Sequence, residues 1–157
     1  FGGCTAGPVA GLETLKIVEE ENLLDNVRTQ GAYLLGRLEE LKNKYEVVGD
    51  VRGKGLFAGV ELVADRKSKA PVDESYAARV AGNCLEQGVM IGRTNRSFTE
   101  YNNTLCLSPA LIATRRDIDD IVDAIDEALS ENILDSIEDS KIYLSLPDRG
   151  IEEFTRP

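Results

Sequence analysis

A chain of 157 residues with 42% hydrophobic residues can bury one core of ordinary domain size. Its 28 acidic against 18 basic residues give a net charge of −10, and the basic residues form no cluster, which argues against nucleic acid or an anionic membrane as partner. With no His there is no imidazole-dependent dyad or triad within this chain, and with no CxxC and no acidic triplet at ligand spacing no metal site is expected.

The chain opens FGGCTAGPVAG. Pro8 sits where a first helical turn wants it, and Val9, Leu12, Leu15 and Val18 recur on one face, so a helix is predicted over about 8–21. Asn22 interrupts it, and a second helix over about 23–45 carries the stripe Val27, Leu34, Leu35, Leu38, Leu41 and Tyr45 opposite Arg37, Glu40 and Lys44. In EVVGDVRGKGLFAGVELV the period shifts to short β-branched and aromatic runs, predicting strands near 46–52 and 56–63 joined at Gly53 to Gly55. ADRKSKAP reads as a polar surface loop. A third helix over about 73–87 has Asp73 as N-cap, the stripe Tyr76, Ala77, Val80, Ala81 and Cys84, and Gly88 as its stop.

Short strands are predicted in VMIG and TLCLS, on either side of the irregular RTNRSFTEYNN. Thr114 with Asp117 resembles a capping box, and Ile118, Ile121, Val122, Ile125 and Leu129 form the stripe of a last helix to about 130. Together these elements give an α+β fold in which helices cover a small, mostly antiparallel sheet of three or four strands.

Cys4, Cys84 and Cys106 are odd in number and widely spaced, and read as reduced core residues of a cytoplasmic protein. No apolar run approaches the roughly 18 residues of a membrane span, and no signal-like segment leads the chain. The only Met is Met90, so Phe1 is not expected to be where an open reading frame starts.

Two segments carry candidate binding chemistry. In the opening loop, backbone N–H groups around Gly2 and Gly3, the Thr5 hydroxyl and the N-terminus of the following helix suit an anion such as phosphate. In GRTNRSFTEYNN, Arg93 and Arg96 lie on an irregular connection, and a guanidinium fork there suits a carboxylate or sulfonate. Gly-rich turns and surface arginines also occur without ligands, so neither segment decides the matter by itself.

The order FGGCTAGPVAG, LKIVEEENLLDNVRTQGAYLLGRLEEL, VGDVRGKGLFAGVELV, CLEQGVMIGR, LCLSPALIATRRDIDDIVDAIDEAL resembles the C-terminal part of a class III, pyridoxal-phosphate-dependent aminotransferase over residues 1 to about 130. GGCTAGP and the long loop after Arg93 are similar to the taurine or β-alanine:pyruvate (ω-amino acid:pyruvate) type.

The resemblance implies a fold-type I enzyme, a homodimer with its active site at the subunit interface. Residues 1–22 would then be a loop and connecting helix from a large domain, 23–130 the small C-terminal domain, and 131–157 an irregular tail. The large domain preceding Phe1 would hold the lysine that binds pyridoxal 5′-phosphate covalently; Lys16, within a helix, is no substitute, and no catalytic residue is assigned in this chain.

The family's phosphate-bonding Thr maps in one of two ways. It falls just before Phe1, leaving Phe1, Gly2 and Gly3 as its neighbours, or it falls on Gly3 with Thr5 as a displaced substitute. The family's substrate-carboxylate Arg maps to Arg93, with Arg96 second. The implied reaction moves an amino group from an amine or ω-amino acid to a keto acid such as pyruvate, and the chain alone would be inactive. The alternative expectation is a non-catalytic binding or dimerisation module that keeps the small-domain fold.

Overall fold

The computed structural model describes residues 3–95 and 101–145, with side chains as far as Asn132. Helix α1 (Ala6–Glu20) opens the fold, two residues earlier than its stripe predicts. Pro8 is tolerated there because the amides of a first helical turn have no intrahelical acceptor to lose. Asn22, in the left-handed region at φ 50°, turns the chain into α2 (Leu23–Lys44). Leu34, Leu38 and Leu41 of α2 are buried, whereas no residue of α1 is: Val9, Leu12 and Leu15 are 67%, 63% and 63% exposed. The apolar stripe that defines α1 in the sequence therefore has nothing over it among the described residues.

The sheet begins with the hairpin of β1 (Val48–Lys54) and β2 (Phe57–Asp65), paired antiparallel from Val48↔Leu62 to Lys54↔Phe57. Gly55, at φ +58°, and Leu56 make the two-residue connection; a glycine with positive φ in the first central position is what a turn matching the strand twist needs. The predicted polar loop ends instead in a short strand, β3 (Ala70–Pro71), which folds back on the end of β2. This return is tied by Asp65, which accepts bonds from the Ser68 amide at 2.6 Å and the Ser68 hydroxyl at 2.8 Å.

Helix α3 (Glu74–Glu86) follows, with Asp73 accepting from the Ser75 amide at 2.8 Å as the sequence predicts. Gly88, at φ +86°, ends it. The strand predicted in VMIG is only β4 (Gly92–Arg93), shifted to the far end of that run because its ladder extends no further than Cys106 and Leu105. β5 (Thr104–Leu107) joins β2 to β4, giving the order β1-β2-β5-β4 with β3 beside β2. Among the described residues the sheet thus has five strands rather than three or four, the added one being β3, a two-residue piece too short to stand out in a hydrophobic pattern.

Helix α4 (Arg115–Ser145) closes the described chain. The Thr114–Asp117 capping box is reciprocal: the Thr114 amide and hydroxyl donate to the Asp117 carboxylate at 2.7 Å each, and the Asp117 amide donates back to the Thr114 hydroxyl at 3.3 Å. α4 does not stop near 130 but continues to Ser145, so the expected irregular tail is helical up to that point. The rest of that stretch lies outside the described residues.

Thr114→Ala is expected to lower stability by about 1 kcal/mol at neutral pH, read from the urea midpoint. Its bonds from Thr114 hold the Asp117 carboxyl below the usual aspartate range. A depressed carboxylate stabilises the fold above its unfolded pKa and loses that contribution as pH falls through the folded value, so the effect of Thr114→Ala should shrink in acid.

Ala58, Val60 and Leu62 of β2 and Leu105 and Leu107 of β5 are buried under α2, α3 and α4, whereas Phe57, on the opposite face of β2, is 71% exposed. One face of the sheet therefore carries the core, as a helix-covered antiparallel sheet should. The charges of α2 are partly spent inside the helix layer: Arg37 pairs with Asp119 and with Asp123, and Lys44 pairs with Asp126 at 2.7 Å. Part of the acidity of α4 thus pairs with α2 instead of facing solvent alone.

Of the three cysteines only Cys84 lies in the core; Cys106 is half-buried and Cys4 exposed, which corrects the reading of all three as core residues. Cys4 sits just ahead of α1, which packs no residue into the core. Burial pushes the Cys84 thiol up to about 11. A thiol reagent at pH 8 is expected to modify Cys4 within minutes and to leave Cys84 unmodified until denaturant is added, as peptide mapping would show.

Candidate functional site

The residues named by the sequence lie in two separate places. At the start of α1, Gly3 and Thr5 are exposed, and Phe1 and Gly2 lie outside the described residues. Thr5 occupies the N-cap position in helical backbone geometry, φ −69° and ψ −24°, and its hydroxyl makes no capping bond. A side chain at Gly3 or Gly7 would touch nothing within 4 Å, so the first turn of α1 is open to its surroundings. These features fit a phosphate: amides of a first helical turn, the positive end of a 15-residue helix and an unengaged hydroxyl.

The second place is the edge of the sheet beside α3. Arg93, on β4, pairs with Leu105 of β5, so its side chain leaves on the helix-covered face. There its Nη1 donates to Oε1 of Glu74 at 2.8 Å, both side chains being 29% exposed. Arg93 holds the Glu74 carboxyl below the usual glutamate range, and Asn102 adds a further hydrogen bond to it. Asn102 is itself buried, at 1% exposure. Pro71, Asp73, Glu74, Ser75 and Arg93 line an open cleft of about 840 Å³. Arg96, the second candidate, lies outside the described residues.

Glu74 and Asn102 were not singled out from the sequence. The start of α3 is legible from Asp73, but nothing in the local pattern says that its first residue meets an arginine 19 positions later. The helix dipole gives no clue either, since an acidic residue in a first turn is favourable on its own account and so does not advertise a distant partner. No group of three or more metal-ligating side chains occurs among the described residues. No helix among them is long and apolar enough to cross a membrane.

The model of the class-III aminotransferases matches residues 1–129. The chain belongs to the class-III aminotransferase family. The chain is 60% identical over 131 residues to the hypotaurine/taurine–pyruvate aminotransferase of Paracoccus denitrificans, a match that covers 83% of this chain and 28% of that protein. It is 54% identical over 130 residues to the taurine–pyruvate aminotransferase of Bilophila wadsworthia, with the same coverage of 83% and 28%. More distantly, it is 31% identical over 133 residues to human mitochondrial alanine–glyoxylate aminotransferase 2, covering 85% of this chain and 25% of that protein.

Among solved structures, a Bacillus anthracis aminotransferase matches with a TM-score of 0.74 and 38% identity, over 76% of this chain and 27% of that one. An amine transaminase from an uncultivated Pseudomonas species, in its PLP-bound form, matches with a TM-score of 0.70 and 35% identity, over 78% of this chain and 26% of that one. The expected fold and family are both met. The chain spans little more than a quarter of the length of the curated relatives it matches.

Proposed function

We propose that this chain is the small-domain part of a pyridoxal-phosphate-dependent enzyme that transfers an amino group from taurine or a related ω-amino acid to a keto acid such as pyruvate. The observation that carries this reading is the 60% identity over 131 residues to a hypotaurine/taurine–pyruvate aminotransferase. Bound pyridoxal phosphate supplies the electron sink for transamination. The chain's own contributions are binding and orientation.

The first turn of α1, with Gly3 and Thr5, offers its amides and hydroxyl to the cofactor phosphate, and Phe1 and Gly2 are held as further candidates for that contact. Arg93 offers its guanidinium to the acid group of the substrate, where a planar fork matches a carboxylate or sulfonate better than a point charge does. Arg96 is held as the second candidate for that role. No residue here is assigned to proton transfer. Lys16 is 62% exposed on α1 and paired with Glu13 at 3.1 Å, a surface arrangement that gives it no place in a cofactor site. The chain alone is therefore expected to be inactive.

The exposed Val9, Leu12 and Leu15 of α1 support the reading that the working protein is a homodimer, since a helix with this stripe is stable when it is covered, and the cytoplasm is kept as its proposed location. The chain by itself should self-associate; sedimentation velocity at moderate concentration would show dimers or larger species, and a monodisperse monomer would contradict this.

The functional test uses the complete gene product loaded with pyridoxal phosphate. Its visible absorbance should change on addition of taurine or β-alanine and revert with pyruvate, with alanine formed in equal amount. A protein that binds the cofactor and shows no response to any amine would favour the non-catalytic module instead.

A further inference from the structure

We propose that Glu74 is a positioning residue for the acid-binding arginine: it holds Arg93 by one nitrogen so that the remaining edge of the guanidinium faces the cleft, ready for a carboxylate or sulfonate. The inference rests on the reading of Arg93 given above and adds the residue that aims it.

Three observations carry it. The contact is one-sided, since Nη1 of Arg93 is the nitrogen that meets Glu74 and, among the described residues, Nη2 and Nε have no partner. A guanidinium carries five N–H donors in a fixed fork, so a partner on Nη1 leaves the Nη2–Nε edge available for a second, two-point contact. Glu74 is also fixed in its turn. It is the first residue of α3, whose start is locked by the Asp73 cap, and its carboxylate takes a further bond from Asn102.

Asn102 is buried at 1% exposure, in the segment that leads into β5, so Glu74 is tied from two elements and Arg93 inherits that fixity. The third observation is place. Glu74 and Arg93 lie together on the wall of the open cleft of about 840 Å³, so Arg93 borders space that a ligand can enter. A free arginine on a two-residue edge strand would have to be immobilised by the ligand itself, at the expense of affinity. Holding it beforehand removes that expense.

A glutamate beside an anion site also carries a charge of the wrong sign, and this makes the test discriminating. At 29% exposure the repulsion is partly screened, and the proposal requires the positioning effect to be the larger of the two. The test uses the full-length enzyme loaded with pyridoxal phosphate and ethanesulfonate, which has the acid group of taurine but no amine, with its dissociation constant measured by titration calorimetry. Glu74→Ala should weaken ethanesulfonate about five- to tenfold, the size expected for ordering one long side chain. Glu74→Gln keeps an acceptor for Nη1 without the charge and should bind ethanesulfonate as tightly as the wild type or tighter.

That split is the signature of positioning. Tighter binding by both variants would overturn the proposal, because Glu74 would then compete with the ligand for Arg93. Wild-type affinity in Glu74→Ala, with Arg93→Ala weakened, would overturn it while leaving the role of Arg93 intact. Wild-type affinity in Arg93→Ala would overturn the reading of Arg93 and this inference with it. A melting temperature for each variant separates these outcomes from a folding defect, and Glu74→Gln, which preserves the size and the hydrogen bond, keeps the comparison available if Glu74→Ala is damaged.

Discussion

Arg93→Ala is expected to reduce the full-length enzyme's preference for taurine over a neutral amine such as 1-phenylethylamine by about a hundredfold, the upper range for losing hydrogen bonds to a charged group. The quantity to measure is the ratio of kcat/KM values for the two donors in the amine half-reaction, where pyruvate and its own carboxylate are absent. A ratio isolates the acid contact, because damage to the fold or to cofactor binding lowers both donors together and leaves the ratio unchanged. Arg93→Lys should fall between the two, retaining the charge and losing the two-point fork. If taurine and the neutral amine decline in parallel in both variants, Arg93 serves the sheet edge through Glu74 and grips no substrate.

The second large effect concerns stability. Gly31→Ala should destabilise the protein by about 3 kcal/mol, while Gly36→Ala, on the same helix, should stabilise it by about 0.5–1 kcal/mol. Intrinsic helix propensity alone favours alanine at both sites. At Gly36 a methyl group would meet nothing within 4 Å, so propensity decides. At Gly31 the new Cβ would collide with the carbonyl carbon of Gly55 and lie 2.5 Å from its Cα, and neither is the end of a flexible side chain that can swing aside.

Gly55 lies close to α2 at a second point. It sits at φ +58° in the β1–β2 connection, and a side chain there would itself meet Cγ1 of Val27 at 2.6 Å. Helix α2 therefore rests on the hairpin turn through two facing glycines, and forcing them apart lifts α2 from β1, opening contacts around Leu34 and Leu38. Chemical denaturation midpoints of the two variants should move in opposite directions. A stabilised Gly31→Ala would mean that the helix and the hairpin turn do not meet in this way.

How much of this was legible beforehand depended on the range of the interaction. Asp73 caps α3, and Thr114 and Asp117 cap each other at the start of α4, as read directly from spacing. Such contacts join residues two or three apart, and the chain's local geometry allows few other outcomes. The hairpin at Gly55 and the helix stop at Gly88 are of the same kind, with positive φ at the residues that tolerate it. The two-residue strand β3 falls in a stretch that reads as a loop because a pair of residues carries no period, and β4 is shorter than the predicted VMIG strand because it is a strand only where β5 lies beside it. The end of α4 reads too early from the sequence because two prolines and scattered apolar residues make the stretch after Ser130 look irregular, although Ile133 and Ile137 continue the spacing of Leu129 and the backbone remains helical to Ser145.

The sequence by itself determined the family, the helices and their caps, the hairpin, and the choice of Arg93 and the glycine-rich start as binding candidates, because these follow from short-range spacing and from motif order. Only the tertiary structure decided that Arg93 is held by Glu74 and borders a cleft, that Gly31 faces Gly55, and that the stripe of α1 lies uncovered. Each of these is a meeting, or a failure to meet, between residues far apart in the chain. Such encounters depend on which face of the sheet a side chain leaves from and on how the helices lie across it, and neither is encoded in the pattern of any one segment.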